Sequence, residues 1–202
     1  MNNIFFRTIP ICINAFNTAL DLLFLLKTKQ VMNKTVEKVL NEQIIKESSS
    51  SQLYLSMASW SENQGYNGTA QFLYKHSDEE RVHMLKLVKF INERGGVAKI
   101  PAIEKPPINF DSMLKIFESL LAHEIKVTES INNVVDVCLK EKDYTTHNFI
   151  QWYVSEQLEE EALARNILDK LKMIGSDKGG LYLFDRDMEN AAISTDTVAA
   201  EK

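Results

Sequence analysis

The sequence predicts an all-α protein, a bundle of four long helices with one long crossover and a short fifth helix near the C-terminal end. Three observations carry that expectation. Apolar residues recur in alternating steps of three and four over four long segments, glycine- or proline-containing links follow the first, second and fourth of them, and no stretch alternates with the period of two that a strand needs. With only 7 Gly and 4 Pro in 202 residues, and 45% hydrophobic against 25% charged content, collagen-like, low-complexity and disordered classes are excluded.

The first segment, about 34–64, has the seam Val36, Leu40, Ile44, Glu47, Ser51, Tyr54 and Ala58, and Gly65-Tyr66-Asn67-Gly68 ends it. The second, about 69–94, aligns Leu73, Glu80, Leu87 and Ile91 before Gly95-Gly96. The third, about 111–140, runs Leu114, Phe117, Leu121, Glu124, Thr128, Ile131, Val135 and Cys138, with Asp111 expected as its N-cap. The fourth, about 144–174, runs Ile150, Tyr153, Gln157, Glu160, Ala164, Ile167, Leu171 and Ile174, closed by Gly175. Helices of about 26–31 residues are roughly 39–46 Å long and can pair along their full lengths. Short links near 65–68 and 140–143 make the first two helices antiparallel neighbours, and likewise the last two. Between the pairs, Val97 to Asn109 carries Pro101, Pro106 and Pro107, and about 13 extended residues at roughly 3.3 Å each cross the bundle's length. The fifth helix is expected over Leu181 to Ala192, within a bundle domain of 33–193, and 194–202 reads as a polar tail.

Residues 1–32 form a leader with two accounts. Arg7, Pro10, Asn14, Asn17 and Asp21 interrupt its apolar run, so it makes a poor membrane span. A secretory signal would need a stronger basic start and a small-residue cleavage site, and the favoured account is a start assigned upstream of Met32. Residues 1–31 hold Arg7, Lys27 and Lys29 against Asp21, so without them the net charge of −5 becomes −7. Such an acidic chain is not built to hold nucleic acid and suits one that handles cations. Cys12 and Cys138 form no C-x-x-C and no disulfide framework, which fits a reducing cytoplasm.

Each of the four seams places acid or amide side chains inward: Glu47, Glu80, Glu124, Gln157 and Glu160. All stand about eleven to sixteen residues into their helices, so in an antiparallel bundle they meet near mid-height. Four dry carboxylates cost about several kcal/mol per uncompensated ion, against a domain's whole margin of about 5–15 kcal/mol. Positive charge must therefore sit among them. Glu80 and His83, at i and i+3, project from one face, and Glu-x-x-His is a ligand pair of bundle-core dinuclear sites. Two divalent cations would neutralise four carboxylates. Oxygen ligands with one imidazole and no thiolate suit iron or manganese, with zinc as a competitor, and the ligand set does not choose among them. Glu-x-x-His alone occurs by chance in a Glu-rich helix; the joint occurrence of five polar seam positions at one depth outweighs that. Tyr54 reads as a core aromatic whose hydroxyl lies within reach of a ligand. His76 and His123 read as packed or surface histidines, His147 as a first-turn residue, and Trp152 and Tyr153 as packing.

The segments Leu40-Asn41-Glu42-Gln43, His76-Ser77-Asp78-Glu79-Glu80-Arg81-Val82-His83 and Phe149-Ile150-Gln151-Trp152-Tyr153-Val154-Ser155-Glu156-Gln157, followed by Glu159-Glu160-Glu161, resemble the ferritins, most closely the bacterial non-haem ferritins. The resemblance covers roughly 33–190 and leaves the leader without a counterpart. It implies a ferritin-like bundle with a ferroxidase centre in which Glu47, Glu80 and His83 hold one iron while Glu80, bridging, Glu124 and Glu160 hold the other. Gln157 lies beside the pair as a weak ligand or to orient dioxygen, and Tyr54 is the neighbouring tyrosine that donates an electron. A third iron site of Glu79, Glu156, Glu159 and Glu160 is implied, as is a homo-oligomeric shell of 24 subunits with ferric mineral inside. Bacterioferritins repeat Glu-x-x-His on the fourth helix and bind haem through a Met after the bridging Glu; Gln157-x-x-Glu160 and Arg81 depart from both, so no haem is expected. Paired C-x-x-C motifs of rubrerythrins are absent. The implied activity is oxidation of Fe2+ by O2 or H2O2 and storage of Fe3+. The alternatives are a di-iron carboxylate oxygenase or peroxidase of the same fold and a non-catalytic helical-bundle interaction protein.

Overall fold

The structure is a computed structural model that describes residues 32–199, with side chains to 189. Residues 1–31, and with them Cys12 and the two accounts of the leader, lie outside the described residues. Five helices follow in order: α1 Lys34–Asn63, α2 Asn67–Glu93, α3 Met113–Lys140, α4 Tyr144–Ile174 and α5 Lys178–Ala199. The first four form the bundle, with α1 packed on α2, α3 on α4 and α1 on α3.

Local chemistry sets the helix starts. The Asn33 side chain accepts from the Thr35 and Val36 amides at 2.7 and 3.3 Å and caps α1. Ser112, not Asp111, caps α3: its extended backbone lets the hydroxyl accept from Lys115 N at 3.2 Å. Asp143 caps α4 through Thr146 N at 3.0 Å and pairs with Arg94 from the end of α2, also at 3.0 Å. The N-cap of α2, Tyr66, offers no side-chain bond. Asp185 of α5 supplies it instead, accepting from Gly68 N and Thr69 N at 3.1 and 2.8 Å, so α2 begins at Asn67 rather than near residue 69. Close packing there requires glycine, because a Cβ at Gly68 would overlap the Asp185 backbone carbonyl.

The crossover is pinned to α1 at two points. Asn41 donates to Val97 O at 3.1 Å and accepts from Lys99 N at 2.6 Å, while Ser56 donates to Pro107 O at 2.5 Å. These anchors are fifteen residues, roughly 22 Å, apart on α1, so the connection runs along α1 over about half of that helix between them. At one end α5, the shortest of the five helices, buries Phe184 and Met188 against Phe117 and its neighbours. Its helix starts at Lys178 and reaches Ala199, past Ser194 where the tail was expected to begin. No Gly or Pro follows Gly180, so nothing in the covalent chain breaks it earlier.

The core divides in two. One cluster, around Met57, Leu73, Phe117 and Leu171, fills the α5 end; the other, around Leu40, Leu87, Ile131 and Ile150, fills the opposite end. Between them on α1, α2, α3 and α4 lie the buried polar residues Glu47, Glu80, Glu124 and Gln157. On α3 the buried arc is wider than a single seam: Leu120, Val127 and Val134 are more deeply buried than the expected Leu121, Thr128 and Val135. Contact with both α1 and α4 broadens the arc. No helix of the described residues is long and apolar enough to cross a membrane.

Candidate metal centre

The waist is built one helix at a time. On α1, Gln43 and Glu47 are one turn apart, and the Gln43 amide donates to Glu47 Oε1 at 2.7 Å. From α3, the Ser130 hydroxyl donates to Gln43 Oε1 at 2.6 Å, on the side of the amide away from Glu47. On α2, Glu80 and His83 project together. His83 Nδ1 lies 3.5 Å from Glu80 Oε2 and 3.8 Å from Glu47 Oε2. One ligand atom from each of Glu47, Glu80 and His83 lies within 4.8 Å of the others, and all three residues are buried.

Two aromatic neighbours hold His83. Tyr153 donates its hydroxyl to the His83 carbonyl at 2.7 Å, and the Trp152 ring meets the imidazole edge-on at 5.1 Å between centroids. Lys86 Nζ lies over the Trp152 ring at 3.1 Å. Both aromatics read as plain packing in the sequence, because nothing in helical spacing shows that their partner is a ligand.

Glu124 of α3 enters from the opposite side. Its Oε2 accepts from Gln157 Nε2 of α4 at 2.9 Å, while its Oε1 is buried with no hydrogen-bond partner. Glu80 Oε2 is likewise buried and unpartnered. Two buried carboxylate oxygens without a hydrogen-bond donor suit a cation as their partner.

Electrostatics agree. Burial, and then the adjacent Glu80 charge, push the Glu47 carboxyl well above its ordinary range. Burial lifts Glu80 to about 8 although a hydrogen bond with Glu47 works against the shift, and Glu160 and Glu79 add to it. Burial also lifts Glu124 to about 8, opposed by the Gln157 amide and reinforced by Glu160 and Glu47. Glu160 is raised by burial, with His76 opposing. The donor set and its need for positive charge fit a divalent cation.

A second group stands beside the first. His76 Nδ1 lies 3.1 Å from Glu79 Oε2 and 3.7 Å from Glu160 Oε2, and the three form a cluster that could also hold an ion. Burial works to lower the His76 pKa, but the Glu79 hydrogen bond and the Glu160 charge outweigh it and raise it. Of the four residues expected at a third site, Glu79 and Glu160 are thus brought together, with His76 joining them. Glu156 acts on Glu160 from nearby, and Glu159 is exposed; neither belongs to the group. His76 and Gln43 are the polar residues that the seams did not assign to the waist. Gln43 falls one step outside the apolar row, although its place one turn before Glu47 was the signal for it.

Tyr54 is buried next to the waist, yet its hydroxyl makes no hydrogen bond, so the expected bond to a ligand is not formed. Its ring meets His123 edge-on at 6.0 Å, and His123 Nε2 is engaged with Ser50 Oγ at 2.7 Å. Burial, then Lys126 and Lys46, depress the His123 pKa to about 4.

Residues 37–174 match the Ferritin-like domain family. A bacterial non-heme ferritin of Campylobacter jejuni is 46% identical over 164 residues, spanning 81% of this chain and 98% of that protein. One from Escherichia coli is 39% identical over 153 residues, 76% of this chain and 92% of the relative. The open-pore ferritin of the archaeon Archaeoglobus fulgidus superposes with a TM-score of 0.78 at 41% identity, covering 79% of this chain and 98% of that one.

Proposed function

The chain belongs to the ferritin family, and from that premise we propose that it is an iron-storage protein that oxidises Fe2+ before storing it. The observation that carries the proposal is the buried waist: Glu47, Glu80, His83 and Glu124, with two carboxylate oxygens left bare between two apolar cores. Iron is the substrate. Glu47, Glu80 and His83 take one Fe2+, and Glu80, Glu124 and Glu160 take the other, with Glu80 shared. Burial raises the Glu80 and Glu124 carboxyls to about 8, so binding of Fe2+ there is expected to release protons. Each Fe2+ then gives one electron, so two Fe2+, one O2 and two protons yield two Fe3+ and H2O2; with H2O2 as oxidant the products are two Fe3+ and two waters. Hard anionic oxygen ligands favour the higher charge of Fe3+ and so favour the oxidised product.

His83 is kept in place by Tyr153 and Trp152, which leaves its Nδ1 toward the carboxylates. His76, Glu79 and Glu160, with Glu156 and Glu159 on the same flank, form the third position through which iron leaves toward storage. Tyr54 serves as the nearby electron donor.

Assembly follows from the outer face. Ile45 and Leu55 on α1 and Val97, Ile100, Ile103 and Ile108 on the crossover are all exposed, an apolar area that a subunit interface would cover. A homo-oligomeric shell, of 24 subunits as in the family, encloses the mineral, and the cytoplasm is its proposed location. Aerobic Fe2+ addition followed by size-exclusion chromatography tests the proposal. Rapid oxidation with iron co-eluting in a shell-sized particle is expected. Oxidation from a small oligomer that retains no iron would point to the oxygenase reading instead.

A further inference from the structure

Each of the two outlying acids of the waist, Glu47 and Glu124, is held by a glutamine amide, and each amide is turned by a hydroxyl from α3. At Glu47 the sequence of contacts is Ser130 Oγ to Gln43 Oε1 at 2.6 Å, then Gln43 Nε2 to Glu47 Oε1 at 2.7 Å. With the Ser130 hydroxyl donating to the amide oxygen, the NH2 of Gln43 is turned toward Glu47.

At Glu124 the polarity is reversed, and the outcome is the same. Arg165 engages Glu161 Oε2, and Glu161 Oε1 accepts from the Thr128 hydroxyl at 2.6 Å. Having spent its only proton on Glu161, Thr128 Oγ1 can only accept, and it does so from Gln157 Nε2 at 3.3 Å. A flipped amide would set the Gln157 oxygen against the lone pairs of Thr128 Oγ1 and of the Glu124 backbone carbonyl. The NH2 is therefore locked toward Glu124, donating to Oε2 at 2.9 Å and to the backbone carbonyl at 3.2 Å. One oxygen of Glu124 is occupied in this way, and Oε1 is the one left bare.

We propose that Ser130 and Thr128 are positioning residues that, through the Gln43 and Gln157 amides, select which oxygen of Glu47 and of Glu124 is presented to the metal. The inference rests on the metal-centre reading above and adds two residues that touch no ligand atom of it directly. It also gives Gln157 a role distinct from ligation: its amide nitrogen restrains Glu124. The two devices act on different acids, so their loss affects different metal positions.

The test is anaerobic titration of the metal-free protein with Co2+ alone, read by visible absorption, on the wild type and on Thr128→Val, Thr128→Ser, Ser130→Ala and Ser130→Thr. Valine keeps the shape of threonine without its hydroxyl, and Thr128 and Ser130 are only half-buried, so folding is checked by circular dichroism with no change expected. Thr128→Val is expected to weaken one Co2+ binding step about tenfold and Ser130→Ala to weaken the other, the scale at which outer hydrogen-bond partners act on metal ligands. The hydroxyl-retaining variants Thr128→Ser and Ser130→Thr are expected to bind as the wild type does. Wild-type affinity and spectrum in both Thr128→Val and Ser130→Ala would overturn the positioning role while leaving the metal centre intact. Absence of Co2+ binding in the wild type would overturn the metal-centre reading itself.

Discussion

At the α5 end of the bundle, and again at the opposite end, the inward positions hold Leu, Ile, Phe and Met; at the waist between them the same helical positions hold Glu47, Glu80, Glu124 and Gln157. The ends are stabilised by removal of apolar surface from water, which asks only for shape and hydrophobicity. The waist opposes folding in the absence of metal, since burial raises its carboxyl pKa values and leaves oxygens unpartnered. Two apolar ends thus clamp a middle that is unfavourable alone, and the middle is preorganised to receive cations without first having to collect its ligands.

Breaking an end has the largest expected effect on stability. Phe117 is fully buried and lies against Phe72 and Phe184, so Phe117→Ala is expected to destabilise the protein by about 3–5 kcal/mol, read by chemical or thermal unfolding. Metal binding by the folded fraction should be retained, because the waist is held by other contacts.

Changing the waist has a smaller effect of opposite character. Glu80 and Glu124 have native pKa values raised to about 8 from an ordinary 4.5, so between those values the native state holds more protons than the unfolded chain. Stability of the metal-free protein is therefore expected to fall as pH rises from about 4.5 to 8, and bound Co2+ or Zn2+ to reverse the fall. Glu124→Gln removes the Glu124 share of that slope, on the order of 1–3 kcal/mol across the window after discounting for relaxation of the site. Unfolding temperatures at pH 5 and pH 8, with and without metal, check both statements. An equal slope in wild type and variant would show that the Glu124 carboxyl is not raised by burial.

The same contrast explains what the sequence disclosed. The ends were legible because apolar periodicity and burial have one cause, and Leu40, Leu87, Phe117 and Ile150 fall where the seams put them. Glu47, Glu80, Glu124 and Gln157 were legible as exceptions on those seams. Asp185 as the cap of α2 was not, since it lies 117 residues from Gly68 and no local pattern links the two. Nor were the roles of Ser130 and Thr128: a hydroxyl's partner is set by how α3 faces α1 and α4, and one residue's rotation along the helix changes it. His76 reads as a packed or surface histidine because only Glu79 is near it in the chain, one turn along α2, and only the fold brings Glu160 of α4 beside it.

The most direct test of the waist as a ferroxidase is stopped-flow oxidation of Fe2+ by O2 in the wild type and in Glu80→Gln, both assembled and folded. Glu80 is the acid shared between both proposed metal positions, so the account predicts a rapid phase of about two Fe2+ per subunit in the wild type and its slowing by roughly a hundredfold or more in the variant. A rapid phase of unchanged rate and amplitude in Glu80→Gln would contradict it and place iron oxidation elsewhere in the molecule.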